Sequence, residues 1–282
     1  MKSLRDKVVV VTGAASGIGR ATANAFAREH AKLVLCDRDE DGLREVEREV
    51  APHVDHIEWR RVDVSSRDEM KALADDLHAR FGAVDVLVNN AGVGQSGGLL
   101  DTSLDDWDWV LRVNLWGVIH GCHFFVPKMV ERVAARRRGA DSEAGGHVVN
   151  VSSVFGFFAP PGSIGYATSK FGVFGLSESM RGELRPHGIG VSTICPGMIN
   201  TNIVKTGRYS EKTAAQRDGV IKMFAERGHS PDVVAKAILS AVKRNRAVVP
   251  AAPEAWAAYY AKRIAPAQFD ALARTVSERA GR

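Results

Sequence analysis

The chain has 282 residues, of which 45% are hydrophobic and 25% are charged, and its formal net charge at pH 7 is +5. These proportions are typical of a globular protein and exclude a wholly disordered chain, and no basic stripe interleaved with aromatic residues points to a nucleic-acid site. No apolar run reaches the about 18 residues of a membrane span, and no secretory signal is visible, so we expect a soluble cytoplasmic protein. Cys36, Cys122 and Cys195 lie far apart, which predicts reduced thiols and no metal site.

Part of the positive charge is concentrated in Arg136, Arg137 and Arg138 and in the C-terminal tail. A solvated surface explains such a run most simply. The alternative is a docking patch for an acidic partner or for a phosphorylated substrate carrier.

Short apolar runs rich in β-branched residues alternate with helical patterns along the chain. Continuous apolar strands separated by helices predict an α/β fold, a doubly wound parallel sheet with helices on both faces. The runs lie at residues 8–11, 33–36, 57–62 (the weakest), 86–88, 148–151, 191–194 and 247–249.

Two helices carry clear start signals. Ser66 followed by Glu69 predicts a capping box, and Gly82 is expected to end that helix. Ser230 followed by Pro231 predicts another helix start. The buried stripe of this second helix is predicted to consist of Val233, Val234, Ala237, Ile238 and Val242.

Three segments depart from the alternation. Residues 134–146 are basic and contain glycine, which predicts an exposed loop. Residues 201–229 lack strand character and follow a strand, in the place where a substrate lid would lie. Residues 251–282 form a tail with two short helical patterns, broken at Pro266.

A glycine-rich turn follows the first apolar run. Gly13, Gly17 and Gly19 form a G-x-x-x-G-x-G pattern, and a helical pattern begins at once with Ile18. Glycine lets the backbone approach a pyrophosphate, and a helix N-terminus offers unpaired N–H groups and partial positive charge. A nucleotide site is therefore predicted, although a tight strand–helix turn could need the glycines for packing alone.

The second run ends in Asp37, whose carboxylate could accept hydrogen bonds from both hydroxyls of an adenosine ribose. Because it would also repel a 2′-phosphate, Asp37 favours NAD over NADP. Arg38 weakens this argument, since a guanidinium pairs well with phosphate. Asp37 could instead be the N-cap of the next helix.

Tyr166 and Lys170 are four residues apart at the start of a helical pattern, so they lie on one helix face. A nearby ammonium favours phenolate and brings the tyrosine pKa, about 10 in a free side chain, toward neutrality. Ser153 follows the fifth run, at the sheet edge where ligands bind in open α/β sheets. Asn114 interrupts an apolar helix; it could bend that helix or hold a water linked to Lys170.

Together these segments resemble the short-chain dehydrogenase/reductase family. The resemblance extends from Lys7 to about Pro250 and rests on motifs that occur in the family's order. These are Thr12-Gly13-x-x-x-Gly17-Ile18-Gly19, Asn89-Asn90-Ala91-Gly92, Asn114, Ser153, Tyr166-x-x-x-Lys170 and Pro196-Gly197. The family likeness implies a Rossmann-like sheet of about seven strands in one cofactor-binding and catalytic domain, residues 1–250, with a C-terminal helical extension, residues 251–282, and a homotetramer or homodimer.

The resemblance also implies roles for the matching residues. Tyr166 would be the general acid/base, and Lys170 would bind ribose hydroxyls and lower the tyrosine pKa. Ser153 would polarise the substrate oxygen, and Asn114 would anchor a proton-relay water. Cofactor contacts are implied for Gly13, Ser16, Ile18, Asp37, Asp63, Val64, Asn90, Ile199 and Thr201, beside the motif residues Gly17, Gly19, Ala91, Gly92, Pro196 and Gly197.

The function expected from these residues is hydride transfer between NAD and a secondary alcohol or ketone. Phe155, Phe157, Phe158, Met198 and Ile203 favour an apolar substrate, but they could equally form core or a subunit contact. The helical period of Trp256, Tyr259, Tyr260 and Ile264 favours packing on the body or on a second subunit over binding to a membrane surface. The alternatives are an inactive NAD(H)-binding regulator, a methyltransferase with a similar glycine turn, and an NADP enzyme.

Overall fold

A computed structural model describes residues 1–139 and 145–269. Seven parallel strands form one sheet, as predicted. In chain order they are β1 Val8–Thr12, β2 Lys32–Asp37, β3 Ile57–Arg61, β4 Val86–Asn89, β6 Gly146–Val151, β7 Ile189–Pro196 and β9 Val248–Ala251. Two further short strands, β5 Gln95–Ser96 and β8 Arg208–Tyr209, pair with each other in parallel.

The strand order across the sheet is β3-β2-β1-β4-β6-β7-β9. From β1 the chain therefore builds the sheet first to one side and then, from β4 onward, to the other. The carboxyl ends of β1 and β4 border the point where the winding reverses, and a crevice there is the usual ligand site of such sheets. Residues of β1 are buried throughout, as expected for a central strand covered on both faces.

Helices cover both faces of the sheet. In chain order they are α1 Gly17–Ala27, α2 Glu40–Val50, α3 Arg67–Phe81, α4 Leu104–Leu111, α5 Gly117–Arg138, α6 Ile164–Leu184, α7 Glu211–Ala214, α8 Arg217–Arg227, α9 Pro231–Arg244 and α10 Pro253–Ile264. Phe26 of α1 and Ile238 of α9 lie in the core on one face, and Phe125 of α5 and Met70 of α3 lie in the core on the other. Successive residues of β1 alternate between these two cores, which explains the uninterrupted apolar strand sequences.

The predicted helix signals are largely confirmed. Ser66 accepts a hydrogen bond from the Glu69 N–H, and Gly82 ends α3 with a φ of 72°. The capping box is only half formed, because the Glu69 carboxylate accepts from the N–H of Asp63 instead of that of Ser66. Ser230 caps α9 as predicted, but Val233 is 38% exposed and does not belong to the buried stripe.

For the basic segment before β6, the prediction of an exposed loop that begins at residue 134 is wrong. Helix α5 continues to Arg138, and residues 140–144 lie outside the described part of the chain. Arg136 pairs with the buried carboxylate of Asp85 at 3.1 Å, and Arg137 donates to the carbonyl of Pro186 at 3.1 Å. Arg136 is therefore held against the body of the protein, whereas Arg137 and Arg138 are exposed, as the solvated-surface interpretation expects.

Residues 201–229 were expected to contain no strand, yet they include β8 as well as α7 and α8. In the tail, α10 ends at Ile264, next to the predicted break at Pro266, and the second helical pattern lies mainly outside the described residues. Within residues 1–139 and 145–269, no helix combines the length and the apolar character that crossing a bilayer requires.

Candidate active site

The glycine turn between β1 and α1 is shaped by two close approaches. Gly13 has a φ of 67°, and a Cβ there would lie 2.7 Å from the Cα of Ala91. A Cβ on Gly19 would collide with the carbonyl oxygen of Gly13. Ser16, the N-cap of α1, makes no capping hydrogen bond with its side chain. The first N–H groups of α1 therefore remain available to an anion, as the nucleotide interpretation requires.

Asn90 joins this turn to the end of β4. Its Nδ2 donates to the carbonyls of Thr12 and Gly13, at 2.9 and 3.1 Å. The hydroxyl of Thr12 in turn accepts from the N–H groups of Asn90 and Ala91, at 3.0 and 3.2 Å. The side chain of Asn90 thus braces the turn with both hydrogens of its amide.

Asp37 lies at the end of β2, beside the same turn. Its carboxylate accepts from the N–H of Ala15 at 3.0 Å and from that of Asp39 at 3.1 Å. Asp39, not Asp37, caps α2 by accepting from the Gly42 N–H, so the N-cap interpretation of Asp37 is wrong. Arg38 is exposed next to this carboxylate.

The third strand supplies the next edge of the crevice. The carboxylate of Asp63 accepts from both the N–H and the hydroxyl of Ser65, at 2.9 and 2.7 Å. Val64 is buried, and its carbonyl is 3.0 Å from Nδ1 of His120. The sequence places both residues at this edge, and the structure fixes them there by local bonds.

Ser153 lies two residues beyond β6 and caps the 3-10 turn Val154–Gly156. Its Oγ accepts from the N–H of Phe155 at 3.1 Å. Because that bond uses only an oxygen lone pair, the Ser153 hydroxyl can still donate its hydrogen to a neighbouring oxygen. Ser153 is buried, with 8% of its surface exposed.

Tyr166 and Lys170 lie in the first two turns of α6 and face Ser153. The Nζ of Lys170 donates to the carbonyl of Val151 at 3.1 Å and lies 5.6 Å from the centre of the Tyr166 ring. Ser153 contributes a hydrogen bond that lowers the pKa of the Tyr166 phenol. The phenol, ammonium and hydroxyl predicted to converge therefore do so.

The structure does not show the lowered pKa that the sequence predicts for Tyr166. Burial raises the pKa of the Tyr166 phenol, and the opposing hydrogen bond from Ser153 does not outweigh it. Burial also lowers the pKa of Lys170 to about 8, so its ammonium is still mostly charged at neutral pH. Desolvation is the dominant effect on both groups because the site is enclosed.

Asn114 is fully buried in a π-helical turn, Arg112–Trp116, between α4 and α5, not in a regular helix. Its Oδ1 accepts from the N–H of Val93 at 2.8 Å, and its Nδ2 donates to the carbonyl of Val93 and to the Ser169 hydroxyl. A Cβ on Gly92 would lie 3.2 Å from Asn114 Oδ1 and 3.4 Å from Lys170 Nζ. The missing side chain at Gly92 leaves space between these two polar groups.

The segment after β7 forms the opposite wall of the crevice. Gly197 donates to the carbonyl of Ala251 at 3.2 Å, and buried Ile199 forms an isolated parallel bridge with His229. A Cβ on Gly17 would lie 3.0 Å from the side chain of Thr201. Thr201, at the end of this segment, therefore lies against the glycine turn, while Gly197 and Ile199 are held by Ala251 and His229.

Two residues of the site were not anticipated from the sequence. Glu254 accepts from the N–H of Met198 and contacts Nε2 of His229, each at 3.0 Å, so α10 holds the segment after β7. Gln95 is buried and accepts from the N–H groups of Gly165 and Tyr166. Both residues act on partners more than 50 residues away in the chain, so no local pattern could have identified either contact.

Contacts between aromatic rings extend from Tyr166 to the tail. Phe155 is in edge contact with Tyr166 and with Phe158, at centroid distances of 5.9 and 6.1 Å. Phe158 contacts Phe269 at 5.1 Å, and Phe157 contacts Tyr259 of α10 at 5.3 Å. The predicted packing of the tail on the body is thus seen for α10.

Comparison with known proteins identifies relatives along most of the chain. Residues 7–212 match the model of the short chain dehydrogenase family. The protein "Probable oxidoreductase EphD" of Mycobacterium tuberculosis is 42% identical over 275 residues, which are 95% of this chain and 45% of that protein. This chain thus spans about half the length of that relative.

Solved structures agree with the fold. A short chain dehydrogenase/reductase from Burkholderia phymatum, solved in complex with NAD, has a TM-score of 0.82 and 31% identity, with coverage of 91% of this chain and 92% of that one. A metagenomic short-chain oxidoreductase, solved with NADP, has a TM-score of 0.68 and 31% identity, with coverage of 88% and 96%.

Proposed function

The chain belongs to the short chain dehydrogenase family, and from that premise we propose that it transfers a hydride between NAD and a secondary alcohol or ketone, with Tyr166 as the general acid/base. The observation that supports this most directly is the convergence of Tyr166, Lys170 and Ser153 at the carboxyl edge of the sheet. A protein that only bound the cofactor would have no use for this set.

The crevice fits a dinucleotide. The uncapped start of α1 can bind the pyrophosphate, and Asp37 retains lone pairs for ribose hydroxyls after accepting two backbone N–H groups. When bound, a nicotinamide supplies or accepts the hydride. Lys170 has two ammonium hydrogens beyond its bond to Val151, and these can reach ribose hydroxyls.

The proton is handled by the chain itself. Tyr166 donates it to the oxygen of a ketone, or removes it from an alcohol, while the Ser153 hydroxyl donates its hydrogen to the same oxygen. Burial raises the pKa of Tyr166, so the phenol holds its proton ready for donation to a ketone oxygen. Asn114 and the space left by Gly92 connect Lys170 to a route for proton exchange.

Two features support an apolar substrate and NAD as the cofactor. The rings of Phe155 and Phe158 beside Tyr166 favour an apolar substrate. Asp37 favours NAD, as in the relative from Burkholderia phymatum, whereas exposed Arg38 is the residue that would allow NADP.

The test is turnover of purified protein on a panel of apolar secondary alcohols and ketones, followed by NADH absorbance, with Tyr166→Phe as the matched variant. We expect the variant to lose at least about a hundredfold in kcat while binding NADH as tightly as the parent protein. Unchanged turnover in Tyr166→Phe, or NADH binding without turnover in the parent, would contradict the proposal and favour the regulator alternative.

A further inference from the structure

The start of the helix that carries Tyr166 is capped from elsewhere in the chain. Ser163, the N-cap of α6, makes no capping hydrogen bond with its side chain. The Oε1 of Gln95 accepts instead from the N–H groups of Gly165 and Tyr166, at 3.1 and 3.3 Å. Its Nε2 donates to the Thr102 hydroxyl at 3.1 Å, so both ends of the carboxamide are bonded. A buried acceptor satisfies helix N–H groups that have no partner within the helix.

The backbone around Gln95 lies between two functional segments. On one edge, the N–H groups of Arg208 and Ser210 donate to carbonyls of residues 94–97, at 3.1 and 2.9 Å. On the other edge, residues 94–97 exchange two backbone bonds with residues 162–164, at 2.8 and 3.2 Å. The segment 201–229 and the start of α6 are therefore joined through the residues next to Gln95.

The carboxamide of Gln95 has little room to move. A Cβ on Gly165 would lie 2.9 Å from its Oε1, and a Cβ on Gly97 would lie 3.0 Å from its Nε2. Only 6% of the Gln95 surface is exposed. A side chain held on both sides by glycine backbone and bonded at both ends fixes the position of the amides that it accepts from.

We propose that Gln95 is a positioning residue that sets the placement of Tyr166 through the first amides of α6. It acts on the backbone of residues 165 and 166 and not on the substrate. The proposal rests on the proposed function, in which the phenol of Tyr166 moves the proton. Strand β8 pairs with β5, the strand that contains Gln95. Gln95 therefore also links the 201–229 segment to the helix start that carries the phenol.

The test compares Gln95→Met, which removes the acceptor at similar volume, with Gln95→Glu, which keeps an acceptor for both amides. Ser96→Ala is the matched control, because it removes a side-chain bond from the same strand to Gly162, at 3.2 Å, without touching the amides of α6. Two readouts are used: kcat and KM on the best substrate of the panel, and the ultraviolet titration of the phenol, measured as the difference from Tyr166→Phe. Thermal unfolding of each variant checks the fold.

For Gln95→Met we expect kcat to fall by about 10- to 100-fold, with the cofactor KM changed by less than about threefold, because a small misplacement of a catalytic group is costly. Gln95→Glu should recover most of this loss and shift the phenol titration upward by about half a pH unit or more, since a carboxylate at the helix start disfavours phenolate. Ser96→Ala should stay within about twofold of the parent.

Parent-like kcat and phenol titration in Gln95→Met would overturn the proposal, and so would a Gln95→Glu variant no more active than Gln95→Met. If Gln95→Met does not fold, Gln95→Asn replaces it, because its shorter carboxamide cannot reach both amides: a fall in kcat with the cofactor KM kept supports the proposal, and a parent-like kcat overturns it. A parent protein without turnover would defeat the proposed function alone, because the phenol titration does not depend on catalysis.

Discussion

At the scale of single residues, the site is built from polar groups whose bonding capacity is partly used and partly free. Ser153 accepts from a backbone N–H and keeps its hydrogen, and Lys170 donates once and keeps two hydrogens. Asn90 and Asn114, by contrast, use both amide hydrogens of their carboxamides for bonds within the chain and hold the walls in place. The number of free donors and acceptors thus separates residues that can meet a ligand from those that shape its site.

Asp37 is the residue on which the choice between NAD and NADP depends. Replacing it by Asn removes the negative charge but keeps an oxygen that can accept from the Ala15 N–H. We expect Asp37→Asn to raise the ratio of kcat/KM for NADP to that for NAD by about tenfold, since repulsion of the 2′-phosphate is relieved and Arg38 stands next to it. Steady-state kinetics with both cofactors measure the ratio.

Asp39→Asn is the matched control for this change, because asparagine also caps helices well and Asp39 bonds α2 instead of the crevice. Its cofactor ratio should equal that of the parent. A ratio that does not change in Asp37→Asn would remove the reason for favouring NAD.

At the scale of elements, strand β6 contains a buried histidine that makes folding sensitive to acid. Nε2 of His147 is 2.8 Å from the Ser192 hydroxyl, which itself donates to the carbonyl of Arg246, so Nε2 carries the hydrogen. Burial lowers the pKa of His147 to about 3. The folded protein therefore holds this ring neutral, whereas in the unfolded chain it is protonated with the ordinary histidine pKa of 6.5.

Acid therefore destabilises the folded protein through this ring. Between about pH 6.5 and 3 the unfolded state binds more protons at this position, so stability is lost as the pH falls through that window, by up to about 1.4 kcal/mol per unit. His147→Gln, which keeps a donor, should lose this part of the slope. Urea unfolding of both proteins between about pH 7 and 5 measures it.

Burial also lowers the pKa of His78, so the His147→Gln protein keeps a smaller slope of the same sign, and the difference between the two proteins is the quantity to compare. His53→Gln, at an exposed position, is the control and should leave the slope unchanged. Equal slopes in His147→Gln and the parent would mean that the ring is protonated in the folded state.

The sequence predicts elements well where local chemistry and burial agree. Six sheet strands and the ends of α3 follow from apolar runs and caps, because a strand covered on both faces must be apolar throughout. The weakest prediction, β3, is an edge strand with charged residues that is only half-buried. The basic run at Arg136 and Arg137 misled because those arginines bind Asp85 and the Pro186 carbonyl, partners that lie far away in the chain. Gln95 was missed for the same reason, since its partners are about 70 residues away.

The sequence predicts which residues form the site, but it does not predict how burial shifts their pKa values. Spacing placed Tyr166 and Lys170 on one face, and the strand ends placed Ser153 beside them. The raised pKa of Tyr166 comes from burial, which depends on how β6, α6 and the loop of Phe155 enclose the phenol. Such enclosure is a property of tertiary packing and leaves no trace in residue spacing.

At the scale of the whole molecule, α10 ties the tail to the catalytic edge. Glu254 binds the segment after β7, and Tyr259 packs on Phe157 in the loop after Ser153. Tail, sheet edge and aromatic wall therefore form one unit around the crevice. This connection explains how a segment outside the motif set can shape the space available to a substrate.

The outer surface of α5 and α6 leads to a prediction about assembly. Trp116, in the π-helical turn before α5, is 52% exposed and Phe171 on α6 is 43% exposed, and their chain neighbours Leu115 and Gly172 lie against each other. Large exposed aromatic side chains on adjoining helical segments are typical of a protein–protein contact. We therefore propose a homo-oligomer that buries this face, as the family resemblance implies.

The double variant Trp116→Glu with Phe171→Glu should convert the assembly to single chains, because charges brought together at a self-complementary contact repel across it. Light scattering during size-exclusion chromatography measures the mass of the parent and the variant. Met223→Glu, on α8 and 40% exposed, is the control for adding a charge at an exposed apolar position and should keep the parent mass. A parent protein that already runs as a single chain, or a double variant of unchanged mass, would show that this face is not the contact.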